Sequence, residues 1–183
     1  MNIIALSGSL RTQSYTTKLL RAFAQNAPVG TTLTILDIST LPLINEDLEA
    51  DLPQSVRDLH TAIAAADGVI FGTPEYNRSY SPVIKNAIDW GSRAGDDNAW
   101  DGMPAGVVGI TPYSLGGFGA VQHLRQVLMY LNMPALQQPE FYVERASEKF
   151  NEAGELTDEH TKEKITEFWT AFTVWAEKTK RTS

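Results

Sequence analysis

The stretch GVIFGTPEYNRSYSPVIKNAIDW, residues 68–90, passes from an apolar run through a polar loop into an amphipathic pattern. Residues 68–72 are apolar on both faces, which is typical of a strand buried in a parallel sheet. Ser81 and Pro82 mark a helix start, and apolar residues recur at helical spacing after them. The stretch therefore predicts a buried strand, a polar loop and an amphipathic helix in succession.

The same alternation continues on both sides of this stretch. Further strands are predicted at 2–6, at 32–38, at 105–110 and within 135–143. Helices are predicted at about 14–26 and along 121–131. Another helix is predicted to start at an Asp51 cap with Pro53 and Gln54, and a final helix at a cap formed by Thr157 with Asp158 and Glu159. Such alternation favours a flavodoxin-like, doubly wound α/β fold: a five-stranded parallel sheet with helices on both faces, and one domain over 1–183.

The composition excludes several classes of protein. The 183 residues are 43% hydrophobic and 20% charged, with a net charge of −7. So acidic a chain is a poor general binder of nucleic acid or anionic membranes. Without cysteine it has no disulfide, thiolate nucleophile or zinc–thiolate site. No signal-peptide pattern or membrane-length apolar run is present, so we expect a cytoplasmic protein without nucleic-acid or membrane partners.

In doubly wound folds, ligands bind beyond the carboxyl ends of the strands, where the strand order reverses. The loop after the first strand, within SGSLRTQSYTTKLL at 7–20, has neither G-x-G-x-x-G nor Walker A spacing. It carries many hydroxyls and Arg11 at the start of a helix, which suits a phosphate group. The simpler alternative is that Ser14 only caps the helix and the other hydroxyls solvate a turn.

The loop after the third strand contains Pro74, Glu75, Tyr76 and Asn77. A rigid proline turn with an aromatic and an amide side chain could border a planar heterocycle, offering apolar surface and fixed donors. Each residue also has a simpler role: Glu75 as a solvated acid, Tyr76 as a packing residue, and Asn77 as the closing residue of an Asx-turn.

The loop after the fourth strand lies within ITPYSLGGFGAVQHLRQVL, residues 110–128. Its glycines allow close backbone approach and unusual φ angles before the next helix. They could equally serve only as a flexible entry to that helix.

Taken together, GSLRTQSYTTKLL and TPEYNRSYSPVIKNAIDW resemble the NAD(P)H-dependent FMN reductases, which include quinone, azo and chromate reductases. The resemblance extends from residue 2 to about residue 143. It implies that FMN is bound by its phosphate at Ser9, Arg11, Ser14, Tyr15 and Thr16, and by its ring system at Pro74, Glu75, Tyr76, Asn77, Ser114, Gly116 and Gly117. Ser81-Pro82 departs from the Pro-Gly common in the family, and the segment 111–116 is shorter.

The resemblance also implies an activity: two-electron, ping-pong hydride transfer from NADPH or NADH to a quinone-like or other small acceptor, or to free FMN. A homodimer or homotetramer is expected. Trp90 and Trp100 are more often core or interface anchors than residues that stack on a flavin, and they lie in a segment that could line a dimer groove. No protein group is predicted to act as a catalytic residue. His60, His123 and His160 lie on different predicted helices, which argues against a metal site.

Other classes of function stay open at this level. A flavodoxin-type electron carrier would bind FMN without turning over a pyridine nucleotide, and a regulatory domain would bind a nucleotide without a flavin. Preference between NADH and NADPH is not decided, because no cluster of arginines for a 2′-phosphate is evident in the sequence.

Overall fold

The fold is built on a five-stranded sheet. The computed structural model describes residues 1–93 and 98–181. The strands are β1 (Asn2–Ser7), β2 (Thr32–Leu36), β3 (Gly68–Thr73), β4 (Ala105–Ile110) and β5 (Phe141–Val143). All neighbouring pairs are parallel, in the order β2-β1-β3-β4-β5. The predicted flavodoxin-like α/β fold is confirmed, and the strand order reverses between β1 and β3.

Helices cover both faces of the sheet. They are α1 (Tyr15–Gln25), α2 (Gln54–Ala64), α3 (Pro82–Gly91), α4 (Phe118–Tyr130) and α5 (Glu159–Thr179). Ile70 and Phe71, neighbours in β3, point to opposite faces, as strand geometry requires. Phe71 belongs to a core shared with α2, α3 and α4, whereas Ile70 belongs to a core shared with α1 and α5.

Side-chain caps fix the starts of the two helices that follow β1 and β3. The Ser14 hydroxyl accepts from the Thr17 N–H at 3.1 Å, and the Ser81 hydroxyl accepts from the Ile84 N–H at 3.3 Å. These caps satisfy N–H groups that would otherwise lack partners, so each loop meets its helix in a defined direction.

Two predicted helix starts need correction. Asp51 ends a 3₁₀ helix (Glu46–Asp51), and α2 begins only after Pro53, because Leu52 and Pro53 have extended backbone angles. The cap of α5 is Asp158 rather than Thr157, and it accepts from the Thr161 N–H at 2.9 Å.

Trp90 and Trp100, expected to be core or interface anchors, are core residues. Both are fully buried in the core. The Trp90 indole donates to the Pro42 carbonyl at 2.8 Å, and the Trp100 indole donates to the Ile88 carbonyl at 2.9 Å. Buried indoles need such partners, so the two residues hold loops against α3. Residues 94–97 of that segment lie outside the described residues.

We expect Gly109→Ala to lower the free energy of unfolding by about 1–3 kcal/mol, the usual cost of overpacking. A methyl group at this position of β4 would lie 2.7 Å from the Gly116 carbonyl oxygen and 2.9 Å from Val121. Urea denaturation would measure the change. A Gly109→Ala variant as stable as the original protein would contradict a packing role for Gly109.

Candidate functional site

Three loops meet at the carboxyl edge of the sheet, after β1, β3 and β4. The first loop starts beside the end of β3, since the Gly8 N–H donates to the Gly72 carbonyl at 2.8 Å. A methyl group at Gly8 would lie 2.7 Å from the Ser81 hydroxyl and 2.9 Å from Pro74. Only a residue without a side chain allows this approach, so Gly8 sets the spacing between the two loops.

The loop after β1 presents unpaired backbone donors. Within residues 1–93 and 98–181, the N–H groups of 9–13, Tyr15 and Thr16 have no hydrogen-bond acceptor. They surround the N-terminus of α1, where the helix dipole adds a partial positive charge. A loop of free N–H groups at such a position is suited to bind an anion.

The predicted phosphate-binding side chains of this loop have different environments. Ser9, Ser14 and Thr16 are buried, whereas Arg11 is exposed. The Ser14 hydroxyl already caps α1, and the Tyr15 ring stacks on Phe150 with centroids 6.1 Å apart. The hydroxyl of Ser9, the guanidinium of Arg11 and the backbone donors are therefore the groups best placed for an anion.

The loop after β3 contains a tight hairpin. Tyr76 and Ser79 exchange two backbone hydrogen bonds of 2.9 Å, and Asn77 and Arg78 between them have φ angles of 51° and 66°. Two positive φ angles in a two-residue connection define a type I′ turn, in which asparagine is favoured at the first position. This turn holds the Asn77 side chain at the edge of the sheet.

Glu75 connects the second loop to α4. Its side chain is only 8% exposed, and its carboxylate lies 2.8 Å from the Arg78 guanidinium. The other oxygen accepts from the Ala120 N–H at 3.3 Å, in the first turn of α4. The simpler alternative of a solvated surface acid is therefore wrong, because Glu75 orients both the hairpin and the start of α4.

The loop after β4 has an unusual backbone. Leu115, Gly116 and Gly117 have successive positive φ angles of 77°, 57° and 89°. A methyl group at Gly116 would lie 2.8 Å from the Val143 nitrogen, so the predicted close backbone approach is present. The Thr111 hydroxyl donates to the Tyr113 carbonyl at 3.0 Å and accepts from the Tyr113 N–H at 3.2 Å, which fixes the start of this loop.

A cleft of about 340 Å³ lies between the second and third loops. It is lined by Glu75, Asn77, Arg78, Thr111, Tyr113, Ser114 and Leu115. The structure thus brings Glu75, Asn77 and Ser114 together, whereas Gly116 and Gly117 form the backbone behind them. Arg78, Thr111 and Leu115 were not predicted. Thr111 could have been found from its place directly after β4; Arg78 and Leu115 carry no distinctive signal.

Comparison with known proteins agrees with this geometry. The model of a family described as NADPH-dependent FMN reductase matches residues 1–148. The chain belongs to this family. The predicted class of enzyme and its FMN cofactor are thereby confirmed at the level of the family, with NAD(P)H as co-substrate.

Similar proteins extend over nearly the whole chain. A quinone reductase from Pseudomonas putida is 42% identical over 175 residues, covering 95% of this chain and 94% of that protein. An NADPH:quinone oxidoreductase from Arabidopsis thaliana is 40% identical over 172 residues, covering 90% of this chain and 86% of that protein. The solved structure of FerB, a flavoenzyme NAD(P)H:(acceptor) oxidoreductase from Paracoccus denitrificans, matches with a TM-score of 0.91 at 37% identity. The match covers 98% of this chain and 99% of FerB.

Among the described residues, no group of three or more His, Cys, Asp or Glu side chains is arranged to hold a metal ion. None of the helices in the described part of the chain is long and apolar enough to span a bilayer.

We expect Glu75→Ala to lower the free energy of unfolding by about 1–3 kcal/mol, because the partly buried Ala120 N–H loses its acceptor. Glu75→Gln should cost less, since an amide oxygen can still accept that bond. Thermal unfolding and hydrogen exchange at the start of α4 would measure both. Arg78→Ala is the control, because the exposed arginine contributes only a surface ion pair worth under about 1 kcal/mol. A Glu75→Ala variant as stable as the control would contradict the connecting role.

Proposed function

We propose that this chain, folded as one domain, binds FMN at the edge formed by the loops after β1, β3 and β4 and reduces quinones with NAD(P)H. One observation carries the proposal: the first loop, with its unpaired donors, packs at Gly8 against Pro74 of the second loop, and the second and third loops enclose the cleft. A flavin mononucleotide has the matching parts, a phosphate dianion at one end and a planar heterocycle at the other.

The first loop fits the phosphate. Its backbone donors and the α1 dipole favour a dianion, and Ser9 and Arg11 add a hydroxyl and a charged donor. Arg11 has no salt bridge to any carboxylate in residues 1–93 and 98–181, so binding an anion would break no existing ion pair. Ser14, Tyr15 and Thr16 would contribute chiefly through the backbone at the helix start.

The other two loops fit the ring system. The N–H groups of Asn77, Ser114, Leu115 and the two glycines have no acceptor among the described residues. They can bond the carbonyl oxygens and ring nitrogens of the heterocycle, while Pro74 and Tyr76 supply apolar surface beside it. Because the hairpin and the Thr111 bonds fix these loops, the donors need little reorganisation on binding.

The protein contributes position and electrostatics rather than reacting groups. When bound, FMN supplies the capacity to accept a hydride from NAD(P)H and to pass it to an acceptor. Unpaired N–H groups of the second and third loops would stabilise negative charge that develops on a ring held between them. A quinone is the proposed acceptor, because relatives about 40% identical carry that activity in their names.

We further propose that the chain forms a homodimer or homotetramer in the cytoplasm. Two large apolar side chains that line the cleft are exposed, Tyr113 (78%) and Leu115 (56%), and so are Tyr76 (46%) in the second loop and Phe118 (50%) at the start of α4. Clustered exposed apolar residues commonly mark interaction surfaces. A second copy placed over the mouth would bury them and exclude water from the ring.

The alternative function, an electron carrier, is tested by turnover. We expect the purified protein to be yellow and to oxidise NADPH in the presence of a benzoquinone, with the two substrates giving parallel double-reciprocal plots. A yellow protein without pyridine-nucleotide oxidation would favour the carrier. A protein that stays colourless with excess FMN would contradict both functions.

We expect Arg11→Ala to weaken FMN binding about tenfold or more, since a charge-assisted bond to phosphate contributes about 1.5–3 kcal/mol. Stability should change little, because Arg11 is exposed. Fluorescence titration of FMN would measure affinity, and urea denaturation would measure stability. Arg57→Ala is the control: this exposed arginine on α2 lies against the opposite face of the sheet. Equal FMN affinity in the two variants would refute the phosphate assignment.

A further inference from the structure

A cavity of about 620 Å³ lies between the C-terminal halves of α4 and α5 and the segment 132–137. Ala135 of this segment forms a β-bridge with Ala105, the first residue of β4, so the cavity lies at the amino edge of the sheet. The loops of the proposed flavin site are at the opposite edge, and no residue lines both the cavity and the cleft. Its volume is typical of small-molecule sites. A ligand bound here would not depend on the flavin.

Two helices supply the walls of this cavity. Arg125 and Met129 of α4 are four residues apart and therefore share one face of the helix, as do Trp175 and Thr179 of α5. The half-buried Trp175 indole donates to the Pro134 carbonyl at 2.8 Å. This bond fixes the direction of the ring, so α5 presents a rigid apolar surface across from a cationic residue of α4.

Arg125 carries a charge that no described residue neutralises. Its Nε is the one buried side-chain nitrogen or oxygen in residues 1–93 and 98–181 that has no hydrogen-bond partner. It also forms no salt bridge within that part of the chain. A charged group that is partly removed from water without a partner costs free energy, and an anion paired with the guanidinium would offset this cost.

The lining contains no carboxylate that would repel an anion. Asp101 precedes the lining residue Gly102, but its carboxylate accepts from the Asn132 side-chain amide at 2.8 Å. It also has a cation of its own: burial lowers the pKa of Arg181, and the negative charge of Asp101 opposes this change. The carbonyls of Val127, Leu128 and Met129 at the end of α4 accept from backbone N–H groups of 131–133, so they too have partners within the chain.

The rest of the lining suits an aromatic ring. Met129 is 76% exposed, whereas Met133 is 4% exposed, and Pro134 and Trp175 add further apolar surface. Methionine sulfur makes favourable contacts with aromatic rings, and a ring placed against Met129 and Trp175 would remove both from water. A planar guanidinium matches a carboxylate better than it matches a neutral polar group.

We propose that this cavity is a second ligand site, for a small aromatic carboxylate: Arg125 pairs with the carboxylate, and the ring packs against Trp175 and Met129. Both parts of the ligand are needed. Inorganic phosphate would gain the ion pair without the apolar contacts, and a neutral aromatic compound would gain the contacts but leave the guanidinium unpaired.

The test compares 2-naphthoate with 2-naphthamide, a neutral analogue of the same shape, by titration calorimetry in the presence of FMN. We expect the acid to bind about tenfold more tightly than the amide, as for one charge-assisted pair. In Arg125→Gln the affinity for the acid should fall about tenfold, while the affinity for the amide stays within about twofold. Arg57→Gln is the control: this exposed arginine on α2 does not line the cavity, so neither affinity should change.

A second measurement locates the ligand in the unmodified protein. The NMR signal of the Trp175 indole N–H, assigned by its loss in Trp175→Phe, should shift when 2-naphthoate is added. The signals of Trp90, Trp100 and Trp169 should not, because these indoles are buried and bonded to carbonyls within the core. Equal affinity for acid and amide, undiminished binding to Arg125→Gln, or a change in flavin absorbance without a shift at Trp175 would each overturn the proposal.

Discussion

The site depends on how closely three backbone segments approach one another at one edge of the sheet. Gly8 lets the first loop contact Pro74 and Ser81 of the second, and Gly109 lets the third loop fold back over β4. At both positions a methyl group would lie within 3.0 Å of neighbouring atoms. Because packed interiors do not absorb such overlaps without cost, these contacts fix the separation between the anion-binding loop and the cleft.

Rigidity at this edge comes from bonds within and between the loops. The type I′ hairpin closes on itself, and Glu75 joins it to the first turn of α4. Thr111 fixes the start of the third loop in the same way. Backbone N–H groups held in this manner can bind a flavin without paying much conformational entropy, and they keep their direction when charge develops on the ring.

Electrostatics explains how an acidic protein can bind anionic cofactors. The net charge of −7 opposes general anion binding, yet the α1 terminus, the unpaired N–H groups and Arg11 are concentrated around one loop. Local donors at short range outweigh a distributed charge that solvent and salt screen over about 10 Å.

The sequence by itself determined the fold class, the strand positions and the loops that carry the site, because hydrophobic periodicity and helix caps such as Ser14 and Ser81 are local properties. It did not determine that Glu75 is a buried connector, or that Trp90 and Trp100 belong to the core rather than to an interface. Those facts depend on contacts between segments far apart in the chain, such as Glu75 with Ala120 and the Trp90 indole with the Pro42 carbonyl. Tertiary structure alone decides them, because burial and pairing are set by neighbours that no local pattern identifies.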